Sequence, residues 1–218
     1  MKIVLILNWG PYYPDEKEPV FKNKKYKKSY ELLYSYAERK GIKFVKAHYL
    51  AYDGKGFDLG WEFSIKNKKW EKIFNIIPEL ILDKAKNTEE SLKYKKKISK
   101  RFKLINDLKL NLILNDKEKQ TKLFLKFMPK TFLPKGSKDI KKIRSQLTGK
   151  VVVKPIKGSG GEGIKIVPIK KLNNTGMVVQ EFIETSEEKK LGRQDFRLII
   201  IDGKIIVPLI RCSKGLHC

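Results

Sequence analysis

Two periods organise the hydrophobic positions of this chain. Lys2 to Leu7 (KIVLIL) is a short apolar run with the pattern of a buried strand. Tyr26, Tyr30, Leu33, Tyr34 and Ala37 then recur at helical spacing, and Gly41 closes that helix. Ile42 to His48 reads as a second strand, so the start of the chain predicts a strand–helix–strand unit with parallel pairing. The stretch holding Trp61 and Trp70 reads as irregular, and Leu80 to Leu82 as another strand. From Thr88 to Leu108, Leu92, Ile98, Phe102 and Ile105 fall on one helical stripe among lysines, which predicts a solvated helix covering the sheet. A strand ending at Leu114, a turn at Asn115, a helix ending before Pro129 and a short helix from Asp139 to Leu147 follow.

Beyond Gly149 the period changes. Short β-type runs at Val151–Lys154, Ile164–Val167, Met177–Ile183, Phe196–Ile201 and Ile205–Ile210 are separated by Gly, Asn and Asp turns. The pattern divides into an α/β domain over residues 1–95 and an α+β region over 96–218. Composition is that of a globular protein, with 41% hydrophobic and 11% aromatic residues. The net charge of +25 invites a nucleic-acid reading. Nearly all of it is lysine, however, whereas base readers rely on arginine, so a solvated surface ranks above a polyanionic partner. Cys212 and Cys218 make no disulfide framework, which points to a reducing, cytoplasmic setting. With His217 they lack a fourth metal ligand and read as free thiols. No apolar run reaches membrane-spanning length.

The candidate chemistry lies in VVVKPIKGSGGEGIKIV, Val151 to Val167, where Gly158 to Gly163 satisfy G-x-G-x-x-G. A dinucleotide fingerprint opens a helix, but these glycines precede the β-type run IKIVPI. No Gly-Lys-Ser/Thr is present, which excludes a Walker loop, and no His-Arg-Asp accompanies it, which argues against a protein kinase. What remains is a hairpin flap whose backbone amides can approach phosphates. Lys154, a cation closing a run of three valines, needs a counter-charge that a nucleotide phosphate would supply.

Lys154-Pro155, the glycine flap, VVQEFIE and DFRLIIIDGKIIVPLIR together resemble the ATP-grasp superfamily, in the branch of glutathione synthetase and the ribosomal-protein glutamate ligases. The resemblance implies a small lobe over about 115–185 and the start of a C-terminal lobe over 186–218. It implies that Lys154 contacts the α- and β-phosphates under a flap of Gly158, Ser159, Gly160, Gly161 and Gly163, with an earlier lysine supplied by Lys117 or Lys119, of which Lys117 better fits the spacing to Pro129. Adenine would be read by the backbone of Gln180, Glu181 and Ile183, with Phe182 left to the core. The ribose would fall to Glu184, or to one of Glu187 and Glu188. Arg197 and Arg211 would hold the γ-phosphate and an acyl phosphate, with Asp195 catalytic or orienting Arg197.

The implied activity is an ATP- and Mg²⁺-dependent carboxylate–amine ligase acting on small-molecule or peptide substrates, with a second copy of the chain also among its candidate partners. The metal carboxylates of the resemblance would fall after Cys218, so the second lobe is expected to be incomplete and the chain a fragment. A non-catalytic nucleotide-binding regulator is the alternative, and a basic nucleic-acid-binding protein ranks below it. NWGPYY, after the first strand, is placed for a substrate loop.

Overall fold

The first strand, β1 (Lys2–Asn8), is buried on both faces. Leu5 and Leu7 join one cluster with Val45, Ile81 and Ile98, while Ile6 joins another with Tyr30, Tyr34, Trp61 and Trp70. A strand covered on both sides takes a continuous apolar run, which is what KIVLIL supplies. The computed structural model describes residues 1–8, 12, 14–158, 161–185 and 193–213, and the chain forms two compact units, Met1–Asn111 and Leu112–Cys218.

In the first unit β1 runs parallel to β2 (Ile42–His48) and to β5 (Leu80–Asp83). Helix α1 (Lys24–Arg39) connects β1 to β2. It begins where Asn23 Oδ1 accepts from the Tyr26 amide at 2.8 Å, and it ends near Gly41, whose φ of +75° suits glycine. The region read as irregular is instead an antiparallel pair, β3 (Phe57–Ser64) and β4 (Lys69–Ile76). Phe57, Leu59 and Trp61 alternate with Asp58, Gly60 and Glu62, and that two-residue period places the aromatics in the core. With β6 (Leu104–Ile105) the sheet order is β4-β3-β2-β1-β5-β6.

The helix expected over 88–108 is shorter. Helix α2 (Glu89–Ile98) is capped by reciprocal hydrogen bonds between Thr88 and Ser91, and it stops because Phe102 and Leu104 return to the core as β6 pairs with β5. Nor is α2 wholly solvated. Lys95 is fully buried, with Nζ 2.8 Å from Asp83 Oδ2 and 2.7 Å from Asn87 Oδ1, and it also donates to the Ala85 carbonyl. The strand expected up to Leu114 is helix α3 (Leu108–Leu114). Its alternating leucines suggest a strand, but Asp107 accepts from the Leu110 amide at 3.0 Å and starts a helix. The first unit extends to Asn111 and includes β6, which completes its sheet.

In the second unit, α4 (Lys117–Phe124) precedes a four-stranded sheet. Its strands β7 (Thr131–Phe132), β8 (Lys150–Lys154), β9 (Lys165–Pro168) and β10 (Val178–Glu181) take the order β7-β10-β8-β9. Helix α5 (Ser137–Gln146) packs Ile140 and Ile143 against Val151, Val153 and Val179. A hairpin of β11 (Arg193–Ile201) and β12 (Lys204–Ser213) turns at Asp202-Gly203, both with positive φ. Ile199 and Ile200, neighbours that face opposite sides of it, are both exposed. Among the described residues no helix is long and apolar enough to cross a membrane.

Replacing Lys95 with Met strands the Asp83 carboxylate in the core. We expect a loss of about 3–5 kcal/mol in urea unfolding, against less than about 0.5 kcal/mol for exposed Lys96→Ala.

Candidate functional site

Strand β8 places the site by alternation. Val151 and Val153 are fully buried beneath α5, so Val152 and Lys154 lie on the opposite face of the sheet. There Lys154 Nζ donates to Gln180 Oε1 at 2.5 Å, Gln180 Nε2 donates to Thr131 Oγ1 at 2.9 Å, and Thr131 Oγ1 donates to the Pro129 carbonyl at 2.6 Å. The ammonium is thus held in place by a relay of neutral groups across β8, β10 and β7. Among the described residues no carboxylate pairs with it. Burial lowers the Lys154 pKa, and the positive charge of Lys117 lowers it further.

The chain before α4 brings Lys117 to the same loop. Asp116 caps α4, its Oδ1 accepting from the amides of Glu118 and Lys119 at 3.0 and 3.1 Å. Asp116 also bridges to Lys157, and the Lys117 amide donates to the Ile156 carbonyl at 2.9 Å. Lys117 Nζ then donates to the Gly158 carbonyl at 2.8 Å, whereas Lys119 turns its Nζ back toward Asp116, 4.0 Å away. Of the two candidate lysines, the structure brings Lys117 to the glycine loop. Gly158, Gly161 and Gly163 all have positive φ, and a Cβ on Gly163 would lie 2.7 Å from Pro155 Cγ. Ser159 and Gly160, with Glu187 and Glu188, lie outside the described residues.

Gln180 lies inside the sheet, in register with Val152 and Thr131, and its side chain is committed to Lys154. The sequence reading had assigned it a backbone role only. Glu181 ends β10, its amide donating to the Lys130 carbonyl at 2.8 Å, and the chain beyond it leaves the sheet with Ile183 and Glu184 exposed. The Ile183 amide meets no acceptor among the described residues. Asp195 Oδ2 accepts from both Nε and an Nη of Arg197 at 3.2 Å, and Asp195 stands opposite Arg211 in the hairpin register. Asp195, Arg197 and Arg211 therefore sit together on the hairpin.

Residues 118–216 match the family described as prokaryotic glutathione synthetase, ATP-grasp domain. Over that region the chain resembles an ATP-grasp domain. At the level of sequence no curated protein matches it. Among solved structures it resembles the ATP-grasp ligase PsnB, complexed with a phosphomimetic variant of its minimal precursor, Mg and ADP, at a TM-score of 0.55 and 10% identity over 95% of this chain and 70% of that one. D-cycloserine synthetase DcsG gives 0.53 at 14% identity, over 99% and 75%. A RimK-domain ATP-grasp protein from Sphaerobacter thermophilus gives 0.50 at 14% identity, and 84% of this chain covers 64% of its length. These are likenesses of fold, and the chain spans less than two thirds of the last of them.

The first unit has its own cavity, of about 590 Å³, at the carboxyl ends of β1 and β2. Asn8 and Tyr12 of the expected substrate loop line it, while Trp9, Gly10, Pro11 and Tyr13 lie outside the described residues. Lys46 lines it too, although sequence reading passed over it. The signal was a lysine between Val45 and Ala47 in a strand otherwise buried. It is 6% exposed, and burial pushes its pKa down to about 8.

Two outcomes follow. Gly163→Ala, strained in φ and pressed against Pro155, should lower the unfolding free energy by about 1–3 kcal/mol in thermal denaturation. Between about pH 8 and 10 the unfolded chain keeps the Lys46 proton that the folded one has released. Stability should therefore rise with pH across that window, and Lys46→Met should remove the rise in a urea series.

Proposed function

We propose that this chain is the nucleotide-holding part of an ATP-dependent ligase that joins a carboxylate to an amine. The observation that carries this reading is the pair Lys154 and Lys117. Both are lysines of lowered pKa: Lys117 donates to the glycine loop, its charge is felt at Lys154, and among the described residues Lys154 meets only a neutral amide oxygen. A polyanion between them would relieve both the burial cost and the mutual repulsion. Lys154 and Lys117 would take the α- and β-phosphates, with Gly158–Gly163 laid over them. The backbone past the end of β10, Glu181 to Ile183, would face adenine, and Glu184 or Glu187 the ribose.

In this reading the γ-phosphoryl group passes to a substrate carboxylate, giving ADP and an acyl phosphate. An amine then forms the amide, phosphate leaves, and the amine loses a proton. Arg197 and Arg211 would hold the phosphoryl oxygens as charge develops, with Asp195 orienting Arg197. PsnB is complexed with Mg and ADP. Among the described residues no group of three or more His, Cys, Asp or Glu converges to hold a metal ion. The carboxylate and the amine would be small molecules or peptide ends.

Calorimetry with ATP should give saturable binding that weakens about tenfold or more in Lys154→Ala, the cost of losing a hydrogen bond to a charged group, and less in Gln180→Ala. Turnover with a carboxylate and an amine should release ADP and phosphate. Release of AMP and pyrophosphate would overturn the acyl-phosphate route, and unchanged ATP affinity in Lys154→Ala would overturn the site.

A further inference from the structure

The cavity of the first unit is walled by aromatic side chains and contains one buried cation. Phe21, Tyr30 and Trp61 line it, and Lys46 reaches it from β2. Lys46 Nζ donates to the Val20 carbonyl at 2.9 Å and sits 4.1 Å from the centre of the Phe21 ring. An ammonium has three donors, so two remain, and among the described residues no ion pair answers its charge. Ring faces and one carbonyl soften the cost of burial without cancelling it. The basic side chains Lys22 and Lys84 add positive charge at exposed positions, and among the described residues no acidic one lines the cavity.

We propose that this cavity binds a small carboxylate with an aromatic or branched apolar body, its head on Lys46 and its body against Phe21 and Trp61. A volume of about 590 Å³ suits a small organic molecule rather than a polymer. A single buried ammonium matches one negative charge, whereas a phosphate dianion would need a second buried cation, and Lys22 and Lys84 are exposed. The aromatic walls exclude water and strengthen the pairing between head group and lysine. The proposal is independent of the nucleotide reading, because every residue it uses lies in Met1–Asn111.

The test uses the whole chain, without nucleotide, and follows 4-fluorophenylacetate and its neutral isostere 4-fluorophenylacetamide by fluorine NMR. The carboxylate should bind saturably and at least tenfold more tightly than the amide. In Lys46→Met that preference should vanish, whereas Lys84→Met, at an exposed position, should change it less than threefold. Equal binding of the two probes to the wild-type chain would overturn the proposal, and so would the absence of saturable binding. That comparison needs no variant, so it stands even where Lys46→Met fails to fold. A correctly folded Lys46→Met chain that keeps the preference would place the anion elsewhere and also overturn it.

Discussion

An ammonium removed from water must be met by something negative, and the different ways in which this chain meets that demand organise the molecule. Lys95, on α2, is answered in full by the Asp83 carboxylate, a carbonyl and an amide oxygen, at the end of a central strand. Among the described residues Lys154 and Lys46 meet only neutral groups, an amide oxygen in one case and a carbonyl with ring faces in the other. The first arrangement is closed and structural. The other two leave charge uncompensated, and each stands where a ligand can reach, one beside a glycine loop and one beside a cavity.

Such uncompensated charge costs folding free energy, and each sheet carries that cost through its own packing. In the second unit Val151, Val153 and Val179 hold β8 and β10 against α5, which keeps Lys154 on the far face and Gln180 within reach of it. Helix α4 is tied to the loop by the bridge from Asp116 to Lys157 and by the Lys117 amide on Ile156, which brings the Lys117 side chain to Gly158. In the first unit β1 and β2 carry core on both faces, and Lys46 replaces an apolar residue at the end where the strands open. Local order in each case comes from residues that take no part in the chemistry.

Much of this was legible in the chain. The run KIVLIL, the helical spacing from Tyr26 to Ala37 and the strand Ile42–His48 specify a parallel unit, because periodicity alone decides which faces are buried. The strand–glycine–strand order after Lys150 was legible for the same reason, since period and turn residues mark where a strand pair reverses. Where the sequence misled, two signals competed. The leucines before Leu114 alternate as in a strand, but an Asp107 cap outweighed them. The stripe running on to Ile105 looked helical, but Phe102 and Leu104 gained more by closing the sheet.

Pairing between distant residues was not legible. Nothing in the order of residues says that Gln180 spends its side chain on Lys154 or that Asp83 neutralises Lys95. Nor does the chain alone reveal that Lys46 faces a cavity. Hydrophobic period and turn chemistry are properties of neighbours in sequence, so the sequence determined the elements and the class of fold. Whether a buried charge finds a partner depends on which strands lie side by side, and only the tertiary structure decided that.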